Sequence, residues 1–363
     1  MIYLDNSATT MYKPQVVIDS VAAYLRMPGN PGRGVNQASL QSGSIVYETR
    51  ERIAEFFHFD KSSNVCFTSN ITESSNTIIN ALIGPKDHAI TTYLDHNATL
   101  RPLYHSGCEI SLTDGTPQQV EAAIKPNTKA VFINHASNVT GEVQDIKAIG
   151  DICKKHDLLY IVDCAQSAGI LDIDILDCNI SILNFTGHKA LMGIQGIGGT
   201  LINTDVYIDP LKRGGTGIHS FDHDMPAHYP EHLEAGSINV PGIVSLYASI
   251  GYINEFGLEN IYKNEINLRN KLLDYFSTKP NVTVYKNDEK PAIGVVTFNY
   301  DGIDSAKISD YLSNEHDIAI RAGAHCAPLA LEHYGIESCA RVSFGIKNTE
   351  EDVDVLIKAL DQI

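Results

Sequence analysis

Short apolar runs alternate with amphipathic stretches through the first two thirds of this chain, and few architectures accept that pattern. The runs 65–68, 88–93, 109–112, 130–134, 158–162, 180–184 and 199–202 predict strands. Between several of them the spacing of apolar residues predicts helices at 72–83, 117–123 and 146–156. Apolar strands separated by helices form a mostly parallel sheet covered on both faces. The expected fold class is therefore α/β. Ligands of such sheets bind at the carboxyl ends of the strands, so residues that directly follow a strand are the first candidates for a site.

Further along, a Gly- and His-rich stretch at 213–232 has no periodicity and reads as a long loop, which is more often functional than idle. Helical patterns follow at 241–256 and 260–276, then strands at 282–285 and 292–299 and a helix at 303–314. These predict a smaller α+β unit that closes the chain. The expected division is a large domain at 14–245 and a small one built from 1–13 and 246–363.

The formal net charge of the 363 residues is −17. An acidic surface repels phosphate backbones and anionic lipid, so neither nucleic acid nor membrane is an expected partner. No apolar run is long enough to span a bilayer, and no basic segment followed by an apolar core opens the chain. The seven cysteines are scattered without a CxxC pair, which fits a reducing cytoplasm better than a disulfide framework.

Six short segments carry chemistry. In FTGHK, Lys189 comes just after a strand, beside a histidine and a hydroxyl. That setting suits a Schiff base with an aldehyde cofactor, and Thr186 and His188 could bind its phosphate; the alternative is a surface lysine in a turn. In LYIVDCAQSAG, Asp163 sits at the sheet rim. It could hold the protonated ring nitrogen of pyridoxal phosphate, with Gln166 donating to the phenolic oxygen, or it could simply cap a helix. In FTSNITESSN, Asn70 and Glu73 have capping-box spacing, and the bare N–H groups of a helix start bind phosphate. In YLDHNAT, His96 could stack on a flat ring or be a structural histidine. In IRAGAHCAP, Cys326 lies in a loop after His325, whose imidazole would raise the thiolate fraction. Arg341, in CARVSFG, matches a carboxylate through two parallel hydrogen bonds, or forms an ordinary ion pair.

Together and in this order the segments resemble the class V aminotransferases, and within them the cysteine desulfurases with a compact catalytic loop. The resemblance runs from YLDNSATT at 3–10 to RVSFGIKNTEED at 341–352, and GHK with RAGAHCAP is its most specific part. It implies a pyridoxal-phosphate fold of type I and a homodimer that converts L-cysteine to L-alanine. A persulfide forms on Cys326 and passes to an acceptor protein or thiol. It also implies roles. Lys189 is the Schiff-base lysine, Asp163 pairs with the ring nitrogen, Gln166 meets the phenolic oxygen and His96 stacks on the ring. Ile71, Thr72, Thr186 and His188 hold the phosphate, and Ser237 reaches the partner subunit's phosphate. Asn138 lies beside cofactor and substrate, Arg341 grips the substrate carboxylate, and Cys326 accepts the sulfur. Three positions depart from the pattern: Asp95 replaces a usual Glu, His232 a usual Arg, and Ala324 a frequent His.

Rival readings are a selenocysteine lyase or another C–S lyase, an aminotransferase with no use for Cys326, and a non-enzymatic scaffold. His219, Asp222, His223, Asp224 and His228 could in principle ligate a metal; the expectation is a polar loop with no metal.

Overall fold

The computed structural model describes residues 1–32 and 34–363. A two-residue strand β1 (Ile2–Tyr3) opens the chain, and helices α1 (Gln15–Arg26) and α2 (Gln37–Phe56) follow. The large unit then runs through β2 (Val65–Thr68), α3 (Ile71–Leu82), β3 (His88–Thr92), α4 (Asn97–Ser106), β4 (Glu109–Thr113) and α5 (Pro117–Ala122). It continues through β5 (Thr128–Asn134), α6 (Ile146–Lys155), β6 (Leu159–Asp163), β7 (Ile182–Thr186), β8 (Gly198–Ile202) and α7 (Val240–Phe256). After α8 (Leu258–Ser277) come β9 (Val282–Tyr285), β10 (Val295–Tyr300), α9 (Ser305–His316), β11 (Ile318–Ala319) and β12 (Arg321–Gly323). The chain ends with α10 (Pro328–His333), β13 (Cys339–Ser343) and α11 (Glu350–Leu360).

All seven strands expected from the apolar runs enter one sheet, in the order β2-β8-β7-β6-β5-β3-β4. The sheet is parallel except at β8, which runs antiparallel to both β2 and β7. The reason is connection length. A parallel crossover needs about a dozen residues or more, usually with a helix, and residues 187–197 supply a tight Gly-rich turn instead. Helices α1 and α2 were not marked by the alternation. Polar and small residues fill most of α2, so its buried stripe is thin in the sequence.

The apolar residues sort into two main cores. One gathers Ile53, Phe57, Ile90, Val131, Val162 and Leu183 around the sheet and also takes Ile250, Ile253 and Ile261. The other holds Leu4, Leu268, Leu272, Phe298, Val342 and Leu356. We propose that the two units divide within α8, whose first turn joins the large core and whose later turns join the small one. On this sorting all of α7 belongs with the large unit, and Leu4 ties the N-terminus to the small one. No helix among the described residues is long and apolar enough to cross a membrane.

Glu265 lies on α8 between the two cores. It is 2% exposed, packs against Gly294, where a Cβ would sit 2.8 Å from its own, and no cation among the described residues offsets its burial. Burial pushes its carboxyl up to about 8. The folded state therefore holds a proton that the unfolded chain releases near 4.5, the ordinary value for a glutamate. Stability is greatest below that value and falls as pH rises toward 8, at about 1.4 kcal/mol per unit. Glu265→Gln, which carries no charge to bury, is expected to recover about 2–4 kcal/mol at pH 9 and little at pH 5. Urea melts of both proteins at the two pH values check this.

Candidate active site

Asp163 ends β6, and Thr186 ends its neighbour β7. The turn after β7 is pinned from within: Gly187 N–H donates to Ile197 O (2.9 Å) and Gly193 N–H to Gly187 O (2.8 Å). A Cβ on Gly187 would meet Ile197 at 2.7 Å, so only glycine lets the chain turn this closely. The turn presents Lys189 at the strand ends, half-buried. Burial pushes its amine down to about 8, opposed by Asp163 and Cys326 and reinforced by Arg341 and Arg321. The amine, the carboxylate and the thiol thus share one electrostatic neighbourhood.

Asp163 Oδ1 accepts the Ala165 N–H at 2.8 Å. No helix follows β6, so the capping alternative for this carboxylate lapses. Its pKa is raised by burial and pulled back by Ala165 and Lys189. Gln166, 5% exposed, donates from Nε2 to Ser7 O at 3.0 Å, and one amide hydrogen remains. His96 is the N-cap of α4, and its Nδ1 accepts the Ala98 N–H at 3.0 Å. That bond fixes the tautomer with hydrogen on Nε2. Burial, with Lys189 and Arg321, pushes the ring down to about 4, so it is a neutral flat face.

An anion cradle lies next to these groups. Antiparallel β8 sets Gly198 opposite both Thr68 and Thr186. A Cβ there would meet Phe185 O at 2.7 Å and Asn70 Cα at 3.1 Å. The missing side chain brings the start of α3 beside the end of β7. Asn70 caps α3 by accepting the Glu73 N–H at 3.0 Å, which leaves the N–H groups of Ile71 and Thr72 without helical partners. Thr186 Oγ1 is buried with no partner. His188 Nδ1 lies 3.0 Å from Thr9 Oγ1, and burial beside Lys189 and Lys13 pushes its ring down to about 4. This donor set, with a buried hydroxyl awaiting an acceptor, fits a phosphate.

The loop carrying Cys326 reaches across from the small unit. Asn97 N–H donates to Cys326 O at 2.8 Å, and Asn138 Nδ2 donates to His325 O at 2.8 Å. His325 and Cys326 both adopt left-handed backbone, φ 49 and φ 56, which is costly for residues with a Cβ. The pair turns His325 inward, 3% exposed, and leaves Cys326 exposed. Here the expectation from sequence is corrected. His325 Nε2 lies 3.0 Å from Cys339 O, and burial beside Arg341 pushes the ring down to about 3. It is neutral and cannot stabilise a thiolate by charge; the cation whose charge acts on Cys326 is Lys189.

Arg341 is 1% exposed, not a surface residue. Nη2 donates to Asp5 Oδ1 at 2.7 Å and Nη1 to Asn138 O at 2.9 Å, while Nε is buried without a partner. Arg321 faces it directly across the β12–β13 ladder. Asp5 and Arg321 escaped the sequence reading. Asp5 follows a short apolar run as Asp163 does, and Arg321 opens the same segment that carries Cys326.

Ser237 stands apart from this group, exposed beside a groove of about 390 Å³ that Arg50 and Glu234 also line. Its loop is anchored by Glu234, which takes both Arg50 Nη1 (2.8 Å) and Nη2 (2.6 Å) and the Phe67 N–H (2.6 Å). Both partners are under a tenth exposed. Glu234→Ala strands a buried guanidinium and is expected to cost about 3–5 kcal/mol in chemical denaturation. His232 is buried, with Nδ1 2.7 Å from Pro226 O and Nε2 2.8 Å from Ile208 O, so it holds the 213–232 loop in place. Among the described residues no group of three or more His, Cys, Asp and Glu is placed to hold a metal.

Comparison with known proteins agrees with this geometry. The family model for class V aminotransferases matches residues 2–356. A probable cysteine desulfurase of Pyrococcus abyssi is 31% identical, covering 100% of this chain and 94% of its own. A cysteine desulfurase of Haloferax volcanii is 31% identical over 99% of this chain and 89% of its own. The apo structure of a cysteine desulfurase from Thermococcus onnurineus superposes with a TM-score of 0.92 at 28% identity, over 99% of this chain and 94% of the other. The chain belongs to the class V aminotransferase family and, within it, to the cysteine desulfurases.

Proposed function

We propose that this protein is a pyridoxal-phosphate enzyme that takes sulfur from L-cysteine, leaving L-alanine and a persulfide on Cys326. The observation that carries the reading is the convergence of Lys189, Asp163 and the exposed Cys326 from two units on one site. The residues present fit the cofactor: the Thr186 hydroxyl and the start of α3, with His188, would hold its phosphate. Asp163 would hold the ring nitrogen, Gln166 the phenolic oxygen, and the neutral face of His96 the ring. When bound, the cofactor supplies a carbonyl that joins an amine and an electron-poor ring that accepts the electrons of a broken Cα bond.

The chain's own residues do the rest. Arg341 receives the substrate carboxylate on its unpartnered Nε side, with Asp5 and Asn138 fixing its plane. Lys189 Nζ moves the Cα proton, for which an amine titrating near neutrality is suited. Cys326 Sγ attacks the substrate sulfur. The new S–S bond forms as the C–S bond breaks, the carbon takes a proton, and alanine and a cysteine persulfide result. Exposure of Cys326 lets an acceptor thiol collect the outer sulfur. Ser237 and the groove beside it, with Tyr47 and Ile218 on its walls, suit a second copy of this chain. We place the enzyme in the cytoplasm, where its free cysteines stay reduced.

The apoprotein gives a first test. Capture of the cofactor needs the unprotonated Lys189 amine, whose pKa is about 8. The rate at which yellow colour develops is expected to rise about tenfold per pH unit below that value and to level off above it. A flat profile would contradict Lys189 as the attachment point.

A further inference from the structure

Asp95 sits just beyond β3 and is 1% exposed. Its Oδ2 accepts three hydrogen bonds, from the Thr91 hydroxyl (2.9 Å), the Thr92 N–H (2.9 Å) and the Thr92 hydroxyl (2.8 Å). Its Oδ1 is buried and has no partner, and the same holds for Asn184 Oδ1. Asp95, Asn184 and Asp163 line one small cavity of about 10 Å³, together with Ser75 and Thr99. That volume is about the least that holds one water, and such a water needs two to four polar partners.

Counting hydrogens fixes the protonation. A water has two to donate, and three acceptors surround it if both carboxyls are charged. If Asp95 carries a proton on Oδ1, every group is satisfied: Asp95 donates to the water, and the water donates to Asn184 Oδ1 and to the Asp163 carboxylate. Asp163 is the one ionisable group facing Asp95 among the described residues that line the cavity. Thr91, Thr92, Ser75, Thr99 and Asn184 are neutral, and Lys189 does not line the cavity.

We propose that Asp95 is a positioning residue for Asp163, a neutral acid that donates through one buried water and keeps Asp163 as the charged member of a two-carboxyl, one-proton pair. Two carboxyls in one dry site share a proton in this way. Burial lifts both groups, Asp95 to about 7, but Lys189 pulls Asp163 back, so the proton settles on Asp95. The inference rests on the reading that Asp163 faces the cofactor's ring nitrogen.

The test uses Asp95→Asn, Asp95→Ala and Asp163→Asn. Infrared spectra of the apoproteins at pH 6 are expected to show protonated carboxyl absorption in the wild type of which Asp95→Asn removes one carboxyl's share, the remainder belonging to Glu265 and removed by Glu265→Gln. In holoprotein carrying ¹⁵N-labelled pyridoxal phosphate, Asp95→Asn is expected to leave the pH profile of the ring-nitrogen NMR signal unchanged, since its amide donates as the acid does. Asp95→Ala is expected to move loss of the ring proton to lower pH by about one unit, a tenfold change. If the alanine variant fails to fold, the asparagine variant and the infrared band decide. An Asp95→Asn spectrum that loses no protonated carboxyl intensity, or an Asp95→Asn profile displaced as far as that of Asp163→Asn, would overturn the proposal. An Asp163→Asn profile identical to the wild type would instead defeat the assignment of Asp163 to the ring nitrogen.

Discussion

Cys326→Ser is expected to keep the yellow colour of the bound cofactor and to lose sulfur release from L-cysteine by about 10³-fold or more. The colour persists because none of the groups that would hold the cofactor depends on this side chain. Lys189, Asp163, His96 and the cradle at Thr186 belong to the large unit's strand ends, whereas Cys326 arrives on a loop of the small unit held by Asn97 and Asn138. The activity disappears because no other cysteine can substitute. Cys66, Cys153, Cys164, Cys178 and Cys339 are buried, and burial pushes each thiol up, Cys66 and Cys164 well above the ordinary range. Cys108 is partly buried just past the C-terminal end of α4, with its Sγ 3.8 Å from Leu103 O. A serine hydroxyl does not form a persulfide. Absorbance and a sulfide-and-alanine assay on the same preparation check both halves. The same assay run with selenocysteine separates the lyase reading, since selenium release without the thiol would leave that activity standing.

Lys189→Ala is expected to fail differently: the colour should be lost as well as the activity. The alanine removes the amine that would carry the cofactor and the base that would move the Cα proton, so turnover falls by at least about 10³-fold. It leaves the fold intact, because the turn at 187–193 is held by main-chain bonds of Gly187, Gly193 and Met192. The variant is expected to melt within a few degrees of the wild-type apoprotein, since it removes a half-buried charge and opens no cavity in the core. A colourless protein that still releases sulfide at the wild-type rate would remove the lysine from the mechanism.

Much of this was legible in the sequence because it is local. Asp163 and Thr186 end apolar strands, Lys189 follows three residues later, and Asn70 and Glu73 announce the start of α3. Such features depend on a few neighbours and the sheet they join. What was not legible depends on packing between segments far apart. Whether His325 points in or out is decided by two left-handed residues and by its bond to Cys339 O, and neighbourhood in sequence suggested a thiolate partner where the fold buries a neutral ring. Arg341 reads as a cation in an apolar strand, but its partner Asp5 lies 336 residues away. The opposition of Arg321 and Arg341 follows from a strand register that no motif states. The antiparallel direction of β8 was missed for a simpler reason: alternation marks strands, and only the shortness of the 187–197 connection gives the direction.

The central claim is that an amine and a thiol from different units act on opposite ends of one amino acid. The direct measurement is a single turnover with L-cysteine, divided into two portions before mass spectrometry of the peptides: borohydride fixes the cofactor in one, and the other is alkylated without reductant so that the S–S bond of the persulfide survives. Wild-type protein is expected to carry the reduced cofactor on Lys189 and one added sulfur atom on Cys326, with alanine formed in equal amount. Lys189→Ala is expected to carry neither. Sulfur on another cysteine, or on Cys326 at the wild-type rate in the protein lacking the lysine, would contradict the account.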